Sequence, residues 1–409
     1  MRSYDVALLG LTGFTGRLVA GELLARAQEE GLSLAFAARN PEKAEAVRAS
    51  LAERWPAAAQ VPLVAADTRA PASLDALAAS TRVLVSTVGP YARYGGPVVD
   101  ACARLGTHYC DLTGEVQFMR AMIDAHQPAA VASGARIVFA CGYDSVPSDL
   151  GTWFAQQAFR ERFGRPARRV TALAGETSGG FSGGTVASMA NLVEEMAADP
   201  SVRRVLGRPY GLNPDPDRRG PDGRDRVGVA RAPRIRAWTA PFFMAPTNTR
   251  VVRRSHALAG EPWGADFRYE ERMSLPGGAG GWLAAWGVTL ATGAFFGLVA
   301  SPARPLLLRF LPAPGEGPSE EARARGHWTM RFVAEDGDDW LVAEIGDPHG
   351  DPGYASTARM LAASALCLAR DPLPVGGGMW TPSTAFGAHL QARLARAGLR
   401  FAVAPATGA

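Results

Sequence analysis

Apolar runs of five to seven residues alternate with amphipathic stretches six times in the first 150 residues. Asp5–Leu9 reads as a buried strand and Arg17–Ala27 as the helix after it. Leu32–Asn40, Val61–Asp67, Thr81–Tyr91, Thr107–Glu115 and Ala135–Gly151 carry the next five apolar runs. Near-continuous apolar strands separated by helical stretches need crossover connections, so the pattern predicts an α/β fold with a Rossmann-type, doubly wound parallel sheet. The second half reads differently. A helix over Thr152–Arg162 and a strand near Val170–Gly175 lead into a second glycine-rich turn within "GETSGGFSGGTVASM". Two strands, Thr329–Ala334 and Asp339–Ile345, are joined by "EDGDD" as a hairpin, which predicts an α+β domain with a mixed or antiparallel sheet. Helices are expected over Tyr354–Ala369 and Thr384–Ala397. The expected division is 1–150, 151–350 and a C-terminal segment, 351–409, packing back on the first domain.

Two stretches interrupt this order. Arg208–Arg236 is rich in Pro, Gly, Asp and Arg and reads as a solvated loop or mobile flap. Met273–Ala303 has no charged residue, and its centre, Trp282–Ala300, is long enough to cross a bilayer. Three readings stand for 273–303: a buried helix of the second domain, a membrane span, or an apolar lobe that touches a membrane or lines an acyl tunnel. In the last reading Arg304 and Arg309 would suit acidic headgroups.

The candidate chemistry gathers where the first six strands end. Gly10, Gly13 and Gly16 in "GLTGFTG" lie between a strand and a helix, the setting in which backbone can approach a pyrophosphate at a helix N-terminus. Thr12, Phe14 and Thr15 complete the candidate turn. Arg39 ends the second strand where an acidic residue would bind a ribose hydroxyl. With Lys43 one helical turn on, it favours a 2′-phosphate, hence NADP(H) over NAD(H). Asp67 is expected on the adenine side, and Thr87, Gly89 and Pro90 at the nicotinamide end. Tyr91 is the first candidate for holding the ring or donating a proton, with Asp111, Glu115 and Asp144 as substrate-orienting polar groups.

Composition narrows the chemistry. The chain has 409 residues, a net charge of +4 and scattered arginines, which argues against nucleic acid as a partner. Lys43 is the only lysine, so neither a Tyr-x-x-x-Lys pair nor a lysine Schiff base is available. Cys102, Cys110, Cys141 and Cys367 form no C-x-x-C pair, and no metal site is expected. Reduced thiols and a first strand starting by Tyr4 point to the cytoplasm. Assembly as a homodimer is left open.

The motifs "GLTGFTG", "STVGPY", "HYCDLTGE", "GYDSVPSDLG", "SGGTVASM", "DPGYASTARML" and "GGGMWTPSTAFG" together resemble the saccharopine dehydrogenase-like oxidoreductases, and most closely their branch of trans-acting enoyl reductases. The resemblance implies an NADP-binding Rossmann domain, a second α/β domain and hydride transfer. For the enoyl reductase branch it implies reduction of an acyl double bond built by a polyketide or fatty-acid system in lipid or glycolipid biosynthesis. An acyl carrier or polyketide synthase is then the implied partner, and the inner face of the plasma membrane a place of work. An imine reductase of amino acids and a non-catalytic, membrane-associated NADPH-binding protein are the competing readings.

Overall fold

In the computed structural model, which describes residues 2–177, 183–218, 220–299, 301 and 317–404, the six early apolar runs are strands of one sheet. These are β1 (Tyr4–Leu9), β2 (Leu34–Ala38), β3 (Leu63–Ala65), β4 (Thr81–Ser86), β5 (His108–Asp111) and β6 (Arg136–Val138). A late strand, β13 (Gly378–Trp380), pairs with β6, giving the order β13-β6-β5-β4-β1-β2-β3. Every pairing in this sheet is parallel. The chain winds outward from β1 through β2 and β3, then returns to the other side of β1 as β4. That reversal between β1 and β4 is where open α/β sheets bind ligands.

The second sheet contains β7 (Arg169–Thr177), β8 (Ala230–Ala232), β9 (Ala237–Pro241), β10 (Arg268–Leu275), β11 (Trp328–Asp336), β12 (Asp339–Asp347) and β14 (Arg400–Ala404). Its order is β14-β12-β11-β7-β10-β9-β8. Only β7 and β10 run parallel, so the sheet is mixed. One core joins both halves: Val6, Val83 and Cys110 of the first sheet and Ala172, Met330 and Phe332 of the second belong to a single buried cluster with the helix Thr357–Arg370.

Several elements differ from expectation for identifiable reasons. The helix expected over Thr152–Arg162 begins earlier, at Val146, which places Ser148 and Asp149 inside its first turn. Asp149 accepts from Ser383 N at 2.7 Å and from Ser255 Oγ, fixing the start of another helix, Pro382–Phe386. The expected helix over Thr384–Ala397 is two helices broken at Gly387, whose φ is +45°. The 208–236 segment is anchored, not a free flap. Asp225 pairs with buried Arg250 at 2.9 Å, Asp222 with buried Arg253 at 2.8 Å, and Arg272 reaches the Gly228 carbonyl. The tail joins both halves: β13 extends the first sheet, β14 extends the second, and Arg393 bonds Glu30 at 2.6 Å and Asp371 at 2.7 Å.

The charge-free run forms the helix Gly278–Val299, and this helix is not buried. Leu283 is 63% and Leu290 67% exposed, and only Gly281, Ala285 and Val299 are buried. The strands that flank it, β10 and β11, both adjoin β7 in one sheet, so a simple span that puts them on opposite sides of a bilayer is ruled out. Arg304, Arg309 and residues 178–182 of the second glycine-rich turn lie outside the described residues.

Candidate functional site

The first glycine turn is tight because its backbone closes on itself. Gly10 takes a φ of +104°, donates its N–H to Ala37 O at 3.0 Å, and accepts from Gly13 N at 3.0 Å. A Cβ on Gly10 would come within 2.5 Å of Thr87 Oγ1, and one on Gly16 within 2.1 Å of Gly10 O. Gly13 is the N-cap of the helix Phe14–Glu30 and offers no side chain, and no acidic residue occupies the first turn. The helix therefore presents unbonded N–H groups and its positive dipole end to an anion. Thr12 and Thr15 stand half-exposed beside that end. Phe14 contributes backbone there. Its ring is turned away onto Tyr354, 5.1 Å between centroids, with Arg323 5.4 Å from the ring centre. Thr87 braces the turn, donating its N–H to Leu9 O at 3.0 Å and sharing its hydroxyl between Leu9 O and Gly10 O at 3.3 Å each.

Arg39 follows β2, beside β1, and is exposed, as is Lys43 in the first turn of the next helix. Asn40 caps that helix through Lys43 N at 2.9 Å, which fixes the lysine backbone beside Arg39. Asp67 follows β3, but its carboxylate is already engaged by the Arg69 guanidinium at 3.0 Å and the Arg69 N–H at 3.0 Å. Those bonds, with the Arg39 charge, hold Asp67 below the usual carboxylate range. Asp67 thus orients Arg69, a third cation missed by the sequence reading. The signal was the Asp-x-Arg spacing of an Asx turn. Three cations on one rim fit a 2′-phosphate. Arg39→Ala is expected to weaken NADPH binding by roughly ten- to a hundredfold and NADH binding little, by fluorescence titration of each nucleotide.

The four acidic and aromatic candidates separate on inspection. Tyr91 is a core residue: its hydroxyl donates to Ser86 O at 3.0 Å, its ring packs on Phe118, and burial raises its pKa far above the normal phenol value. It is placed neither to stack on a ring in the cleft nor to give up a proton. Asp111 is fully enclosed, accepting from Thr113 N, Ala140 N and Tyr109 OH at 2.9–3.1 Å. Burial raises its pKa to about 7, and its bonds tie the ends of β5 and β6 together. Glu115 accepts from Tyr91 N and Ala92 N at 2.9 Å and from Ser188 Oγ at 2.8 Å. It locks the helix Gly183–Ala198 onto the first domain, helped by the Arg93–Glu194 pair at 2.6 Å.

Asp144 is different. It lies in the loop after β6, beside Gly114, where a Cβ would be 3.3 Å from its Oδ2, and Met244 of the second half closes the same spot. It has no hydrogen-bond partner among the described residues, and it keeps a narrow opening to solvent. Burial alone raises its pKa to about 6. A carboxyl raised in this way, at the carboxyl edge of a parallel sheet, can hold a proton at higher pH than a free one. Gly89 and Pro90 follow β4, and a Cβ on Gly89 would meet the Tyr91 ring at 3.7 Å and Ser188 Oγ at 4.0 Å. Deeper, Glu271 accepts from Asn248 Nδ2 at 2.8 Å and Ser148 Oγ at 3.0 Å, a buried network no short motif announces.

A glycine turn closed to a Cβ at Gly10 and Gly16, a bare helix N-terminus and exposed cations after β2 fit a phosphorylated dinucleotide. The family described as saccharopine dehydrogenase NADP binding domain matches residues 6–138, the span from β1 to β6. A Mycobacterium tuberculosis relative named as a trans-acting enoyl reductase is 42% identical over 97% of this chain and 97% of its own. The trans-acting enoyl reductase of Mycobacterium leprae is 38% identical over the same shares. The chain belongs to the trans-acting enoyl reductase family within the saccharopine dehydrogenase-like oxidoreductases. Apo saccharopine dehydrogenase (L-Glu forming) of Saccharomyces cerevisiae shares the fold, with a TM-score of 0.51 at 12% identity over 98% of this chain and all of that one.

Proposed function

We propose that this enzyme reduces the carbon–carbon double bond of an enoyl thioester carried by a polyketide synthase or acyl carrier, in lipid or glycolipid biosynthesis. The observation that carries the reading is the 42% identity to a relative named as a trans-acting enoyl reductase, over 97% of both chains. Asp144, which follows β6 and has no hydrogen-bond partner among the described residues, supports it as a proton donor, since burial raises its pKa to about 6. NADPH, when bound by Gly10–Gly16, Arg39, Lys43 and Arg69, supplies a hydride, which suits the electrophilic β-carbon of an enoyl thioester. The α-carbon then needs a proton, and Asp144 holds one at its carboxyl. Thr87 keeps the turn closed, and Glu115 ties the helix Gly183–Ala198 to the first domain. The products are the saturated acyl thioester and NADP+, with one proton drawn from solvent through Asp144.

Proposed domain limits of 1–150, 151–350 and 351–409 go with this reading, as does a cytoplasmic enzyme working at the inner face of the plasma membrane. The test is the loss of NADPH absorbance with crotonyl-, long-chain enoyl- and carrier-bound enoyl thioesters. Oxidation with a long-chain or carrier-bound substrate is expected. Turnover with 2-oxoglutarate and lysine, and none with any enoyl thioester, would replace the reading with imine reduction.

A further inference from the structure

The helix Gly278–Val299 is the largest feature the reaction leaves without a use. Its 22 residues make a rod about 33 Å long, at ~1.5 Å per residue. No charge occurs between Arg272 and Arg304. The shielded and half-shielded positions, 281, 285, 288, 292, 295 and 299, recur at intervals of four and three, with 289 beside them. They make one stripe. The rest of the circumference is open and apolar, with Trp282, Leu283, Trp286, Leu290, Phe296 and Leu298 all exposed. A surface helix of a soluble protein is polar on its outer face, and a helix apolar all round is buried in protein or in lipid. Pairing with a second copy of this helix would cover one more stripe and leave the others wet.

The foot of the helix carries charge of one sign. Arg231, Trp238 and Leu275 stand in one row across β8, β9 and β10, at the point where β10 leaves the sheet. Trp238 donates its indole N–H to Gly278 O at 2.9 Å, and the Arg231 guanidinium lies 4.6 Å over the Trp238 ring. The Arg236 carbonyl touches the Gly277 position. Arg231 and Arg236 are exposed, and neither has an acidic partner among the described residues. An uncharged rod rising from arginines without an acidic partner among the described residues, with two tryptophans in its first half, matches a bilayer in section: hydrocarbon, aromatic interface, anionic headgroups.

We infer that Gly278–Val299 inserts into a lipid bilayer and anchors the enzyme monotopically, with Arg231 and Arg236 on acidic headgroups. Both flanking strands adjoin β7, so the chain enters and leaves the lipid by the same face. The anchoring is independent of the substrate assignment.

Flotation of the full chain with vesicles tests it, using phosphatidylcholine alone and phosphatidylcholine mixed with phosphatidylglycerol. The chain is expected to float with both, more completely with the anionic vesicles at low salt. Leu283→Glu combined with Leu290→Glu should cut the bound fraction at least about tenfold, because charge is costly in hydrocarbon. NADPH binding, measured in parallel, should stay unchanged and reports that the variant is folded. Arg231→Glu with Arg236→Glu should remove the preference for anionic vesicles. A chain that stays unbound with both vesicles overturns the inference. So does a wild-type dimer in sedimentation analysis that fails to float and that the leucine variant converts to monomer, since the occupant would then be a second copy.

Discussion

Asp144→Asn is expected to lower turnover by about a hundredfold or more while leaving NADPH affinity unchanged, the size of loss typical when a positioned general acid is removed. The sign of the pH effect follows from its environment. Burial raises the Asp144 pKa from 3.8 to about 6, so the protonated form that can donate persists toward neutrality and disappears as the pH rises further. Wild-type turnover should therefore fall as pH increases through about 6 and above. The asparagine variant should lack that limb. Wild-type turnover in the variant, or a rate that climbs with pH over the same range, would remove Asp144 from the acid role. Glu115→Gln offers a contrast. Its carboxylate is committed to Tyr91 N, Ala92 N and Ser188, so the change should act through the seating of the helix Gly183–Ala198 and leave the pH limb in place.

The second large effect belongs to Gly16→Ala. A Cβ there meets Gly10 O at 2.1 Å and Thr87 Oγ1 at 3.1 Å, so the turn must open and Thr87 must release its bonds to Leu9 O and Gly10 O. Overpacking of this kind costs about 1–3 kcal/mol. The displaced helix N-terminus should also lose at least about tenfold in NADPH affinity, since the N–H groups no longer converge on one anion. Gly13→Ala is the control for stability: its nearest neighbour is Gly10 O at 3.4 Å, an ordinary contact. Thermal melting should separate the two variants. Equal melting temperatures would mean that the turn is looser than its geometry implies.

The parallel sheet was legible because each strand is buried on both faces and each crossover leaves a helical period, a local signal that needs no knowledge of partners. The cofactor turn was legible for the same reason, since strand, glycine turn and helix are contiguous in the chain. Side-chain direction was not. Tyr91 and Asp144 both follow strand ends, yet one hydroxyl turns into the core to reach Ser86 O and the other's carboxyl lies against Gly114 with no hydrogen-bond partner among the described residues. That difference is set by Phe118, Gly114 and Met244, distant in sequence. The direction of Asp67 was hidden in the same way, because its carboxylate turns to Arg69, two residues on. The exposure of 278–299 was hidden because composition reports what a helix avoids, never whether protein or lipid surrounds it. The anchoring of 208–236 depends on arginines on the helix Ala245–Leu258, whose apolar neighbours gave no hint that their guanidinium groups point inward.

The last thirty-two residues give one strand to each sheet, β13 to the first and β14 to the second. Stitching of this kind works against hinged jaws. For the halves to swing apart, a strand would have to be unzipped from its sheet, or the Arg393 clamp on Glu30 and Asp371 broken. The helix Gly183–Ala198 adds a further tie, through Ser188 to Glu115 and Glu194 to Arg93, so the two sheets should move as one body.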